Sequence, residues 1–529
     1  MSRRPTTTGV VPLVRLVLRR DRVRLPIWIV SIALLVFFTA GSVKGLYKTE
    51  AELVAGAAPM YGNAAVIALN GPTYAIDTYG GQMVFQVGSF GYVVVALMGM
   101  FLVGRHTRAD EENGRTELIR ATVVGRNAPL TAALVVAALA YTLLGALITI
   151  SMLSQDVGVE GSILFGAAMG GFGMFFACLT AVTAQVTEYN RAALGLAGVA
   201  LGVSYGVRAI GDVSEGALSW LSPMGWAQHT KPFAGDQWWP LLLLGSGSAA
   251  LVVLAFRLQA SRDLGAGLLP TRPGPPIAAP SLGRPVGLAI RLQRGSFIGW
   301  AFALALTGVA YGSVAQDVAD LVGDNATLEE LIAQAGGSLV DSFFATSLLI
   351  LALITGGFAV AATMRLRSEE TAGRAEPLLA AAVPRTRFAL SHLLVALAGS
   401  TLIALAAGLG MALTDSLISG SFSNVPSLIV GSLSFAPALW VLSGIAFALF
   451  GVLPRAMAAG WGALGAFFVI GMFGPLFELP SWIIDLSPFQ HVPAIPAEDF
   501  SAQPLIILTA IAAGLVGVGL IGFRRRDVS

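Results

Sequence analysis

Long apolar stretches alternate with short polar ones along the whole chain. The apolar runs recur at ~20 residues, the length a helix needs to cross roughly 30 Å of hydrocarbon. The pattern predicts segments near 26–46, 83–104, 129–152, 161–186, 192–210, 240–256, 297–315, 342–364, 388–413, 426–452, 456–476 and 503–523. A longer mixed stretch, about 47–82, separates the first two and reads as a loop. Ahead of the first segment, Arg15, Arg19 and Arg22 recur at helical spacing, with Val10, Leu13, Val14 and Val17 mostly on other faces. That predicts a short amphipathic helix on a membrane surface, basic face toward anionic headgroups. A signal peptide fits less well, because the next run is longer than a signal core and lacks a small-residue cleavage site.

Two polar stretches interrupt this pattern in the same way. Residues 108–117 read Arg-Ala-Asp-Glu-Glu-Asn-Gly-Arg-Thr-Glu, and residues 367–376 read Arg-Ser-Glu-Glu-Thr-Ala-Gly-Arg-Ala-Glu. At one constant offset Arg108 matches Arg367, Asp110 matches Glu369, and Glu111 matches Glu370. Gly114 matches Gly373, Arg115 matches Arg374, Glu117 matches Glu376, and Arg126 matches Arg385. Other matches keep the same order: Arg19, Arg22 and Trp28 with Arg291, Arg294 and Trp300, and Leu221-Ser222-Pro223 with Leu486-Ser487-Pro488. The chain is therefore expected to be a parallel repeat of six plus six spans. Residues 263–285, rich in proline and glycine, fall where the halves should join, and proline at that density prevents a helix. The expected division is 1–262, a linker 263–285, and 286–529.

Composition fits a polytopic all-α membrane protein. Hydrophobic residues make up 55% of the 529, mean hydropathy is +0.77, and only 12% are charged, against about 25% in soluble chains. No stretch is left over for a soluble catalytic domain. The single cysteine, Cys178, excludes an internal disulfide, and the four histidines lack metal-ligand spacing. No metal site and no catalytic residue is expected. Placing the N-terminus inside puts 28 of the 32 Lys and Arg on the inner side, leaving only Lys44, Lys48, Arg208 and Lys231 outside. By the positive-inside rule, both termini and both charged stretches are then cytoplasmic.

The charged stretches admit three readings. Acids followed by arginines suit a solvated, helix-capping loop, but duplication with Gly and Arg held in place weighs against that alone. A metal-binding or acid–base carboxylate cluster lacks a histidine or nucleophile beside it. The third reading is a short surface helix that docks into a partner through directional charges, with Gly114 and Gly373 permitting a tight bend or a close backbone approach.

The order of surface helix, span, long loop, span, "EExxGRxE" and four more spans, doubled, resembles the permease subunits of type-2 ABC exporters. It is most similar to the large actinobacterial permeases that export polyketide antibiotics, of the tetronasin-transport kind. The likeness extends over essentially the whole chain, and Arg262-Asp263-Leu264-Gly265-Ala266-Gly267 shares it. It implies an N-terminal elbow helix in each half, and a coupling helix between second and third spans that seats in a nucleotide-binding subunit. The coupling residues it implies are Asp110, Glu111, Glu112, Gly114, Arg115 and Glu117, with Glu369, Glu370, Gly373, Arg374 and Glu376. Glu112 is matched by Thr371 and Leu118 by Pro377, so the two docks are expected to differ.

The chain has no Gly-x-x-x-x-Gly-Lys-Ser/Thr loop to cradle nucleotide phosphates. ATP and Mg would be bound by a separate ATPase, in two copies or as a dimer. The implied pathway is lined by segments 2, 5, 8 and 11, whose bulky residues include Phe90, Tyr92, Phe101, Tyr205, Phe343, Phe344, Phe467 and Phe468. Such aromatics more often pack helices together than touch cargo. Few charges sit at depth, which argues against a proton relay and for a hydrophobic or amphiphilic small-molecule cargo. Glu188, Arg208 and Asp341 lie near segment ends and are expected to snorkel. Small residues crowd segment 4 (Gly166, Ala167, Ala168, Gly170, Gly171, Gly173) and predict a close helix-packing face. The expectation is a permease subunit in the cell membrane of a bacterium, with lipid, ATPase and cargo as partners and no nucleic acid. A twelve-span secondary transporter, a membrane enzyme and a non-transporting scaffold or sensor are the alternatives. The first predicts buried ionisable residues and the second a polar catalytic cluster on facing helices.

Overall fold

The computed structural model describes residues 6–214, 217–269, 274, 276–323, 338–381, 383–473 and 480–526. Among them all regular structure is helical. Eleven helices are long and apolar enough to cross a membrane, and the helix Ala459–Phe473 is a shorter apolar one. The chain divides into two units, Met1–Gly274 and Pro275–Ser529, and the division falls within the proline-rich stretch. Pro270, Pro273 and Pro275 lie outside the described residues.

In the first unit α1 (Val10–Arg20) precedes α2 (Arg24–Leu46), and the 47–82 stretch holds α3 (Glu50–Ala57) and α4 (Ala64–Asn70). The expectation of a plain loop is corrected there: Thr49 and Asn63 cap α3 and α4 through side-chain oxygens that accept from Glu52 N and Val66 N. Next come α5 (Tyr79–His106), α6 (Arg108–Glu112), α7 (Arg115–Arg120), α8 (Ala128–Leu153), α9 (Val159–Val186), α10 (Asn190–Val213), α11 (Pro223–Gln228) and α12 (Pro240–Ala260). Helix α5 breaks at Gly88 (φ 33°, ψ −143°), where a Cβ would meet the Asn70 carbonyl at the end of α4. Lipid tails are as apolar as leucine, so close packing, not water exclusion, holds such helices together. Small residues supply it as expected. Gly170 of α9 sits against the Tyr141 backbone of α8, and the Tyr141 hydroxyl donates to Val95 O of α5 at 2.7 Å. Phe172 and Phe176 fill the same buried core.

The second unit holds α13 (Pro285–Gly323), α14 (Leu339–Thr371), α15 (Ala375–Ala380), α16 (Arg385–Ser419), α17 (Val425–Ser434), α18 (Ala436–Val452), α19 (Ala459–Phe473), α20 (Ser481–Ile484) and α21 (Ala502–Arg525). One expectation is corrected here. The second elbow is not a separate helix, because residues 285–294 run directly into the span as α13. In the first unit the break between α1 and α2 is at Asp21, a buried carboxylate that recruits Arg105 and His106. The matching position is Gln293, whose neutral amide meets the His392 ring at 3.4 Å.

Candidate functional site

Each charged stretch forms a bent pair of short helical pieces at the end of its unit's second span. Helix α6 leads through Gly114 into α7, and the end of α14 leads through Gly373 into α15. Both glycines have φ +69°, the left-handed region that favours glycine, and a Cβ at either would meet nothing within 4 Å. The glycines therefore serve the bend and not a close approach.

The acids split into two sets. Asp110, Glu369 and Glu370 are buried, and Glu111 has a side chain 10% exposed. All four are bound within the chain. Glu111 accepts from Arg108 at 2.8 Å and takes both amino groups of Arg262, at 2.9 and 2.8 Å. Glu370 takes Arg367 at 3.0 Å and both amino groups of Arg526, the second at 2.9 Å. Such two-pronged pairs are the strong ones. Arg262 and Arg526 each follow the last span of their unit, so both elements are fastened to the same place.

A second repeated bond tightens the fastening. Arg126 donates to Gln259 O and Arg262 O at 2.6 and 2.9 Å, and its match Arg385 donates to Arg526 O at 2.8 Å. Arg108, almost fully buried, also donates to Ala266 O and Gly265 O. It thereby holds the start of the 263–285 stretch, while Leu268 N and Leu269 N donate to Gln185 O and Val186 O at the end of α9.

Asp110 and Glu369 differ in their partners. Asp110 binds Arg20 of α1 at 2.5 Å and Arg115 at 3.2 Å. Glu369 binds Arg365 and Arg374, both at 2.7 Å. The carboxylates hold the Arg20 and Arg374 guanidiniums above their usual range. Close by, Asp21 takes Arg105 at 2.6 Å and His106 at 2.7 Å. Burial alone would push the Asp21 carboxyl up, but the His106 bond and charge and the Arg105 charge outweigh it and hold the carboxyl below 3.8.

An outer ridge remains exposed on each element. Glu112, Arg115, Glu117 and Leu118 are exposed in the first element, and Thr371, Arg374, Glu376 and Pro377 in the second. Glu112 also accepts from Asn190 N at 3.0 Å, tying the ridge to α10. Arg108, Arg367 and Arg262 stand out in the sequence without a site role, and Arg20 and Arg526 are not singled out for one. A signal existed, since Arg262 and Arg526 both close the last span of their half.

The pathway aromatics do not form one group within either unit. Phe90 is 65% exposed, while Tyr92, two residues on, is buried against Phe172. Phe101 lies near Trp28. The Tyr205 hydroxyl donates to Leu69 O at 2.6 Å. Phe343 stands between Tyr311 and Phe344, and Phe467 packs near Phe489, while Phe468 is 40% exposed. Arg208 does not snorkel as expected. It is fully buried, with Ile67 O accepting at 3.0 Å, the Tyr205 ring beneath it and Asp212 at 3.6 Å. Beyond it His229 stacks on Trp220 and meets Ser219 at 2.9 Å, and burial and then Lys231 push its imidazole down to about 4.

Residues 282–524 match the family described as "Multidrug efflux system permease Rv1217c, C-terminal domain". The chain is also similar to the multidrug efflux system permease protein Rv1217c of Mycobacterium tuberculosis (strain ATCC 25618 / H37Rv). The two are 41% identical over 526 residues, which covers 98% of this chain and 95% of the relative.

Proposed function

The chain belongs to the family of multidrug efflux system permeases, and from that premise we propose that it is the membrane subunit of an ATP-driven exporter. A separate ATPase, in two copies, binds ATP and Mg, and the two bent elements seat in it. Both termini and both elements lie on the cytoplasmic side, where 28 of the 32 Lys and Arg would then stand. The cargo is hydrophobic or amphiphilic, since few charged residues fall within the apolar segments; the relative's name gives multidrug efflux.

One observation carries the reading: the same ion lattice is built twice, each time beneath an exposed polar ridge on a left-handed glycine bend. A solvated loop has no need of a two-pronged arginine from just beyond the last span. A load-bearing joint does, because force on the ridge must reach the spans without melting the loop. Buried pairs cost desolvation and are weak evidence of stability alone. Their retention in both halves fits a mechanical role.

The test is efflux of a lipophilic dye from cells that express the chain with its ATPase, intact or with the ATPase's catalytic carboxylate replaced. The proposal expects accumulation of dye in the second strain, comparable with a strain lacking the permease. Undiminished efflux there, abolished instead by collapsing the proton gradient, would mean a secondary transporter.

A further inference from the structure

A groove in the second unit runs between the start of α13 and the third to fifth turns of α16. Its walls include Val286, Ile290 and Phe297 on one side and Leu394, Val395 and Leu402 on the other, with Arg294 on the rim. Ile290, Leu394 and Leu402 are each about half exposed along it. At its head, sharing Val286, lies a second depression formed by Ser281, Arg284, Gly287 and Arg387. No acidic residue lines either depression, and Arg284, Arg294 and Arg387 make no ion pair among the described residues. The depression also lies at the positive end of the long helix α13.

The order of these parts along the helices matters. At 1.5 Å per residue, Leu394 and Leu402 lie about 10 and 22 Å deeper along α16 than Arg387. Phe297 lies about 20 Å beyond Arg284 along α13. A basic mouth at the membrane edge thus opens onto an apolar trough that extends inward by the reach of an acyl chain. At the corresponding place in the first unit the described residues are packed together. There α1 lies on α8, with Leu13, Ala128 and Ala132 buried and Val10 and Val14 packed over them. Gly125 N and Asn127 N donate to Thr8 O and Thr6 O and hold the segment down.

We propose that this groove is a binding site for one anionic diacyl phospholipid, its phosphate held by Arg284 and Arg387 and one acyl chain laid along Ile290, Phe297, Leu394 and Leu402. Charge complementarity selects the class. A zwitterionic headgroup would bring its own cation beside the arginines, and a soluble phosphate would leave the trough empty. The site lies where α16 begins, directly after the second charged element, so the lipid would brace that element where the first unit uses α1.

The test uses the full chain, delipidated and returned to nanodiscs of phosphatidylcholine with graded phosphatidylglycerol, and reads bound lipid by native mass spectrometry. The parent chain should retain about one phosphatidylglycerol in preference to phosphatidylcholine. Arg284→Ala with Arg387→Ala should weaken that retention about tenfold or more, and the double lysine variant should restore most of it. Ala398→Phe, at an exposed position inside the trough, should expel the lipid while leaving the arginines in place. Equal retention in the double alanine variant would overturn the proposal, as would equal affinity for phosphatidylcholine. Effective competition by glycerol phosphate would make it a headgroup-only anion site and overturn the lipid assignment. The thermal transition of each variant shows that the fold survives at these exposed positions.

Discussion

In the first unit Asp110 reaches out to Arg20 on α1, whereas its match Glu369 finds Arg365 and Arg374 within its own element and the span that carries it. Asp21 then clamps α1 again, through Arg105 and His106, where the second unit has Gln293 against His392. At the last span Arg262 donates to Gln185 Oε1 at 2.8 Å, but Arg526 lies over the Phe450 and Phe523 rings instead. The repeat thus keeps the Glu–Arg–Arg core, the Arg126/Arg385 bond, the glycine bend and the pair of Asp110 or Glu369 with the arginine after it, and varies the outer ties. The first element is tied to a surface helix, a span end and the inter-unit stretch. The second leans on itself and on Arg526. Pushing on the first should move more of its unit than pushing on the second.

The core pairs should show the difference most strongly. Glu111→Ala leaves the nearly buried Arg108 and Arg262 without their carboxylate, and removing one member of such a lattice costs about 3–5 kcal/mol. Glu370→Ala should cost about half as much by the same rule, since Arg367 and Arg526 are 29% and 17% exposed and can hydrate. Thermal unfolding in detergent reads both, and equal losses would break the comparison. Asp21→Asn comes next, at about 1–3 kcal/mol, while Gln293→Ala should cost under about 1 kcal/mol.

The Asp21 effect carries a pH signature. A carboxyl whose value falls on folding gives stability that is complete above its unfolded value and lost as pH drops through its folded one. The gap between parent and Asp21→Asn should therefore hold above about pH 5 and close below 3.8. Gly114→Ala and Gly373→Ala should each cost roughly 1 kcal/mol, and equally, since both have φ +69° and open space around the Cβ. Last, Glu112→Thr with Thr371→Glu should cost under about 1 kcal/mol, chiefly through loss of the exposed Glu112 bond to Asn190 N.

Sequence made the spans plain because membrane-crossing helices announce themselves by length and hydropathy. It also made the duplication plain, since Gly114 and Gly373 fall at one offset and the structure gives them one backbone conformation. The fate of the acids was hidden. Asp110 and Glu112 look alike in the sequence, yet one is buried on Arg20 and the other exposed, because neighbouring positions on a short helix face different ways. Arg262 and Arg526 lie more than 150 residues from their glutamates, and only the folded unit brings span ends together. The missing second elbow was hidden as well. Arg291 and Arg294 repeat Arg19 and Arg22, but the break depends on Asp21, which the repeat does not keep.

On the proposed function, the exposed ridges engage the ATPase while the ion lattice beneath them transmits the force. The direct measurement is recovery of the ATPase with the tagged permease when Glu117→Arg and Glu376→Arg are combined, both residues being exposed. Most co-purifying ATPase should be lost, with an unchanged thermal transition of the permease. Full recovery of the ATPase with the double variant would contradict it.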